Sequence, residues 1–495
     1  DSAHHSISLE LERPGESRLK ASAEIEFALT PQEHAELKWY LEDYLHRAES
    51  VTEEHVQQIE SMMCDRGIEL FEKILEGNRE AQRIFDRVVD DIADLRVEIT
   101  TSVADAAAIP WELMRDPSLD SAIALRVKSF VRVQSEANLS FVKAPDTDEL
   151  GRVRLLYVVC RPSGTDDVAL RAVVNQLLQG LGDDLECFDI TALRPPTYEQ
   201  LQKKLTNARE AGRPYHIVHF DGHGVYADLE NLILADWAKA LSHLMLGADS
   251  KGKHGFLLFE HPDSEDKMRP VSGDQLGKLL HDSGVPVLVL NACQSAMHEA
   301  TDRPENTQNV HDEVRAIGSL SQAVVDQGIP AVLGMRYSVF VVTAAQYIGR
   351  VYSALAKGRS FGQAATEGRK DLHENPERWV GLQPRPLQDW FVPVVFEAAR
   401  LQLFPDRRTD HAEKLREKSR AAAALRDPIQ NGSIDVKYVP DTGFIGRDET
   451  LLLLDRAFDA HSVVLLHAYA GQGKTTTAVE FARWYATTGG LGARP

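Results

Sequence analysis

Between residues 151 and 397 the chain repeats one pattern, short and almost wholly apolar runs separated by helical stretches. The runs are RVRLLYVVC (152–160), ECFDITAL (186–193), YHIVHF (215–220), GFLLFE (255–260), VPVLVLNAC (285–293), IPAVLGM (329–335) and WFVPVVFE (390–397). A strand that is apolar on both faces must be covered on both faces, and crossover helices on either side of a largely parallel sheet do this. Helices are predicted at 197–210, 273–282, 319–327 and 339–357. Residues 227–254 are poor in strand signal and read as a loop or insertion beside the sheet. The fold class is therefore α/β, a largely parallel sheet flanked by helices.

Residues 1–150 are mixed α/β. ISLELE and AEIEFAL alternate like half-buried strands. Thr30, Pro31 and Glu33 form a capping box that opens a helix. A second helix follows, with Val56, Ile59, Met63, Leu70, Phe71 and Ile74 on one face. In IPWELMRDP, Trp111 marks a packed turn rather than chemistry. The expected organisation is an N-terminal part at 1–150, a core at 151–400, a charged linker at 401–440 and a new unit at 441–495. A chain of 495 residues has room for roughly three domains at about 150 residues each.

Composition excludes several functions. A net charge of −20 argues against a general nucleic-acid binder, which needs clustered Lys and Arg. The four cysteines, Cys64, Cys160, Cys187 and Cys293, include no close pair, which suggests neither a disulfide framework nor a zinc ribbon. No apolar run approaches the roughly 18 residues of a membrane span, and nothing near Asp1 resembles a signal peptide, so a cytoplasmic protein is expected. The sequence lacks a starting Met and stops at GGLGARP, which reads as a fragment of something longer.

Reactive groups of open parallel sheets sit just beyond the carboxyl ends of strands. YHIVHF runs into Asp221-Gly222-His223-Gly224, and VPVLVLNA runs into Cys293. Adjacent strands would bring His223 and Cys293 to one edge across the 70 intervening residues. A thiolate can attack a carbonyl while a nearby imidazole handles the protons. The N–H groups of Gly224 and Cys293 are the natural oxyanion donors, with Gly224 expected in a Gly-His-Gly turn. His216 and His219 are three apart on a strand, so they should face opposite sides and not share a metal. Cys160 reads as a small buried hydrophobe. Two roles are open to Asp221, orienting the imidazole or bonding to the turn backbone, and the second is favoured.

HFDGHG followed by VLVLNACQSA resembles the CHAT domain, a relative of caspases and separases. Ala292, Cys293 and Gln294 are similar to the caspase Q-A-C-[RQG]-G signature, with Asn291 and Ser295 departing from it. IPWELMRD, LSQAVVDQGIPAVLGMRYSV and WFVPVVFE carry the resemblance over most of residues 20–400. It implies a caspase-like fold and a cysteine endopeptidase with a His223–Cys293 dyad, acting on a protein partner without metal or cofactor. The rival reading is a catalytically silent caspase-like docking module. The stretch from Met297 to Val314 is expected to be mobile. Asp312 and Glu313 would offer an acidic wall to a basic substrate side chain, with ordinary solvation the preferred alternative.

AYAGQGKT (468–475) matches the P-loop pattern except that Ala468 replaces its first glycine. It is expected between a strand, SVVLLH (462–467), and a helix. In that motif Gly471, Gly473 and Thr476 belong to the phosphate cradle, Lys474 reaches the β/γ-phosphates and Thr475 ligates Mg²⁺. FIGRDETLLLLDRAF resembles the start of STAND/NB-ARC-like NTPases, with Arg447 the matching arginine near the adenine. The resemblance implies ATP or ADP with Mg as cofactor, though no Walker B aspartate is reached. It also implies self-association through the NTPase and a trigger sensed further along, as in bacterial defence or regulated cell death.

Overall fold

A computed structural model describes residues 4–47, 52–101, 106, 108–133, 140–162, 181–228, 253–261, 267–293, 320–380, 383–404, 417, 444 and 446–490. The expected linker at 401–440 and the stretch from Met297 to Val314 fall largely or wholly outside these residues, as do Asp312 and Glu313.

The N-terminal region opens with an antiparallel hairpin, β1 (His4–Leu11) and β2 (Leu19–Glu26). Helix α1 (Pro31–Glu42) starts at Thr30, whose side chain accepts the Glu33 N–H while Glu33 reaches back to the Thr30 backbone. That is the capping box legible in the sequence, and it satisfies two donors the first turn would leave unpaired. Helix α2 (Glu53–Leu75) buries Val56, Ile59, Met63, Leu70, Phe71 and Ile74, the predicted stripe. Helix α3 (Arg79–Asp86) packs on β2. β3 (Arg96–Thr100) and β4 (Ser129–Val133) then join the main sheet.

The sheet is completed by β5 (Val153–Val159), β6 (Phe188–Ala192), β7 (Ile217–Asp228), β8 (Lys253–Glu260), β9 (Met268–Ser272), β10 (Val287–Cys293), β11 (Ala331–Met335) and β14 (Pro393–Glu397). Its order is β3-β4-β14-β11-β10-β7-β5-β6, with β8 and β9 attached beside β7. The inner pairs β5–β6, β5–β7, β7–β10 and β10–β11 are parallel, while β11–β14 and the β7–β8–β9 pairs are antiparallel. The short strands β12 (Glu377–Trp379) and β13 (Pro384–Pro386) form a separate hairpin. β9 carries Pro270, which lacks an N–H, and the strand pairs only with β8, so the missing donor faces an edge. That proline is why the sequence does not announce a strand there.

Helices α4 (Tyr198–Glu210), α5 (Gly273–Asp282), α6 (Val341–Ala356) and α7 (Phe361–Glu374) cover the sheet. Leu156, Val158, Val218, Phe220, Leu288 and Leu290 face α4, α5 and the helical turns at 320–326. Leu155, Tyr157, Ile217, Val287, Val289 and Leu333 face α6 and α7. Successive strand residues point to opposite faces, so runs apolar at every position feed both cores. Full burial of each such side chain stabilises the fold by about 1.5–3 kcal/mol.

Trp111 is buried and its Nε1–H donates to Ala106 O at 2.8 Å, the packing role expected of it. Beside it lies a charge cluster that the sequence did not reveal. Glu112, 1% exposed, takes Arg132 Nη2 at 2.9 Å and Arg336 Nη2 at 3.4 Å. Burial alone would raise the Glu112 carboxyl, but the two guanidiniums outweigh it and hold the group at about 2.

Candidate active site

β7 and β10 run parallel from Ile217 beside Val287 to a last shared rung, His223 beside Cys293. Adjacent strands lie about 4.8 Å apart, so the main chains of the two residues are immediate neighbours. The expected Gly-His-Gly turn is not there. β7 continues as a strand to Asp228, pairing antiparallel with β8 from His223–Leu258 to Asp228–Lys253. The reason is that β8 supplies a new partner where β5 stops, at Asp221. Gly222 serves packing instead of turning. A Cβ there would sit 3.0 Å from the Phe220 ring and 3.1 Å from Cys160 Cβ.

The ladder also orients Gly224. β10 occupies one edge of β7, so β8 pairs with the other, beyond the end of β5. Asp221 O accepts Cys160 N–H at 2.9 Å, which aims the main-chain groups of Asp221 and His223 at the β5–β8 edge. By the two-residue alternation of a strand, Gly224 aims its N–H at the opposite edge, the one β10 lines up to Cys293.

One side-chain step before the dyad rung lies the Asp221–Asn291 rung. Asp221, 3% exposed, is the centre of a buried network. Its Oδ2 accepts Tyr157 Oη–H at 2.9 Å and Arg161 Nη2 at 3.1 Å, and its Oδ1 accepts Asn291 Nδ2 at 3.2 Å. Neither expected role for Asp221 describes these bonds. The carboxylate ties the end of β5 to the end of β10 across β7. Arg161, itself 3% exposed, also donates through Nη1 to Cys160 O at 3.0 Å and Asp221 O at 2.9 Å. Sequence reasoning missed Arg161 and Tyr157, and took Asn291 only as a departure from a signature. The available signal was that 221 and 291 each stand two residues before a candidate dyad residue, His223 and Cys293.

His216 and His219 divide as expected. His216 Nδ1 accepts Arg154 N–H at 3.0 Å, so its proton is on Nε2, 3.0 Å from Pro145 O. His219 packs edge-on against Tyr157 on the α6 face, with Nδ1 3.1 Å from Tyr352 Oη. Burial, joined at His216 by the Arg154 charge, lowers both imidazoles to about 4 and keeps them neutral. Cys160 is buried, with Sγ 3.4 Å from Pro196 O, and burial pushes its thiol far up. No cluster of metal-ligating side chains is found among the described residues, and none of their helices is long and apolar enough to cross a membrane.

The second predicted constellation lies on α8 (Asp448–Ala460) and α9 (Lys474–Thr487). Gly471 and Gly473 take φ of 79° and 76°, the left-handed region that favours glycine. Lys474 Nζ donates to Ala468 O at 2.8 Å and Tyr469 O at 2.9 Å. Arg447 Nη2 donates to Gln472 O at 3.0 Å, so Arg447 reaches the loop from which Lys474, Thr475 and Thr476 open α9. The strand expected at 462–467 does not form. Val463 and Leu465 are 86% and 84% exposed. An apolar strand is stable only with neighbours on its edges and cover on its faces, and no described strand pairs with this one.

A family model described as CHAT domain matches residues 93–402. The match begins later than the expected residue 20 and ends before residues 441–495, where a P-loop is expected. No curated protein matches the chain.

Proposed function

The chain belongs to the CHAT domain family, and on that premise we propose that it is a cysteine endopeptidase with Cys293 as nucleophile and His223 as base. The observation that carries this reading is the shared rung of His223 and Cys293 at the end of the parallel β7–β10 ladder. His223 accepts the Sγ proton as sulfur adds to the scissile carbonyl carbon. The N–H groups of Gly224 and Cys293 receive the oxyanion. Collapse breaks the C–N bond, the imidazolium protonates the leaving amine, and a thioester remains on Cys293. A water deprotonated by the same imidazole then cleaves the thioester, releases the new carboxyl terminus and restores the thiol.

The P-loop segment supplies the switch in this reading. Left-handed Gly471 and Gly473, the first-turn N–H groups of α9, and Lys474 and Arg447 at the same loop fit ATP or ADP with Mg²⁺. Lys474 would hold the phosphates, Thr475 the Mg²⁺, Thr476 the phosphate cradle and Arg447 the adenine side. A bound nucleotide supplies negative charge and a state to be read. Self-association through this segment would then gate cleavage of a protein partner, in bacterial defence or regulated cell death by analogy of architecture.

The test is N-terminal peptide profiling of cells producing the protein against cells producing Cys293→Ala. New peptide termini that appear only with Cys293 are expected. Identical profiles, with assembly intact, would leave the docking-module reading in possession.

A further inference from the structure

Helix α8 of the P-loop segment is seated at the carboxyl end of β5. Arg456 donates through Nη2 and Nε to the two oxygens of Glu260, at 2.6 and 2.8 Å, and through Nη2 to Val159 O at 3.2 Å. Its neighbour Asp455 accepts Arg194 Nε at 2.9 Å, and Arg194 continues to Thr488 Oγ1 at 2.6 Å, at the end of α9. Glu260 closes β8, and its Oε1 also accepts the Arg161 N–H at 2.8 Å. Arg161 is the cation that holds Asp221. Asp221 meets Asn291 two rungs before the dyad.

We propose that Asp221 and Arg161 are positioning residues for the dyad, and that Arg456 of α8 sets their alignment through Glu260. The inference rests on the dyad reading above. The physical reason is charge balance in a nearly dry site. With α8 seated, Glu260 is matched by Arg456 and accepts the main-chain N–H of Arg161, whose guanidinium holds Asp221. With Arg456 withdrawn, Glu260 loses its counter-charge while its Oε1 still holds the main-chain N–H of Arg161. A largely buried carboxylate without a counter-charge is costly, so Glu260 turns towards solvent and its hold on the Arg161 main chain is lost. The tie between the ends of β5 and β10 then loosens, and the spacing of His223 and Cys293 loosens with it. Movement of the P-loop segment thereby reaches the dyad through Arg456, Glu260, the main chain and guanidinium of Arg161, and Asp221.

The test uses the full chain and alkylation of Cys293 by iodoacetamide across a pH series, read by peptide mass spectrometry so that Cys64, Cys160 and Cys187 are scored apart. His223→Ala is the reference variant and Arg483→Ala, outside the path on α9, the control. Arg456→Met and Glu260→Gln should each slow Cys293 alkylation at neutral pH about threefold to tenfold, the size of typical coupling through a packed network. Each should also raise the pH midpoint of alkylation, which a merely structural role would not move. The double variant should be no slower than the slower single one, because both act on one path. If Arg456→Met fails to fold, the near-isosteric Glu260→Gln decides alone. Unchanged rate and midpoint in these variants, with His223→Ala altered, would overturn the inference. An unaltered His223→Ala would instead remove the dyad reading beneath it.

Discussion

Asp221 and Asn291 face each other across two parallel strands, Nδ2 3.2 Å from Oδ1, two rungs before His223 and Cys293. The two strands that carry His223 and Cys293 are thus joined by side chains as well as by the ladder. A carboxylate this buried needs all its donors, and it takes them from β5, from β10 and from Arg161.

Asn291→Ala should destabilise the protein by about 1–3 kcal/mol, because Asp221 Oδ1 loses its neutral donor inside the core. Urea unfolding at neutral pH measures this. An unchanged midpoint would mean that water replaces the amide.

Gly222→Ala places a methyl against Phe220 and Cys160. Overpacking of this kind costs about 1–3 kcal/mol, and here the displaced residue precedes His223. Adding Phe220→Leu should recover part of the loss, a non-additive result readable in the same unfolding assay.

His216 and His219 give the protein a pH dependence whose sign is fixed. Their folded values lie near 4, below the ordinary 6.5. The unfolded chain therefore takes up protons first as pH falls. Stability is fully present above about 6.5 and is lost as pH drops towards 4, by about 3 kcal/mol for each histidine. His216→Gln and His219→Gln should each flatten that slope in unfolding curves recorded between the two limits.

Glu112 acts in a lower window. Held at about 2 against an ordinary 4.5, its charge contributes stability above 4.5 that disappears as pH falls through 2. Glu112→Gln should cost about 3 kcal/mol at neutral pH. The deficit relative to the parent should shrink in acid, and a constant deficit would show that shape rather than charge is at work.

Lys474→Ala should weaken binding of a fluorescent ATP analogue about tenfold to a hundredfold, the worth of one charge-assisted contact. Gly473→Ala should weaken it as well, by imposing a side chain on a left-handed residue at about 1–2 kcal/mol. Equal affinity in all three proteins would remove the nucleotide proposal.

What the sequence discloses here is whatever one segment decides alone. The apolar runs, the Thr30–Glu33 cap and the stripe on α2 follow from local pattern and are present as read. The pairing of His223 with Cys293 follows from where apolar strands end. Asp221 could not be read, because its partners Tyr157, Arg161 and Asn291 lie on β5, just after β5 and on β10, and meet it only through register. The Gly-His-Gly stretch reads as a turn because the partner that extends it, β8, is distant along the chain and begins only at Lys253. At 462–467 the failure runs the other way. The segment has the pattern of a strand and no described neighbour to complete it.

β7 is held from both sides over the same few residues, by β10 up to His223 and by β5 and then β8 on its far edge. Its side chains alternate with a period of two, so one residue inserted or deleted between Ile217 and His223 would turn the histidine to the opposite face. Neither ladder can slide to compensate, since each fixes the other. The chain can therefore change length before His216 or after Asp228, while the seven residues from Ile217 to His223 act as a ruler whose count cannot drift.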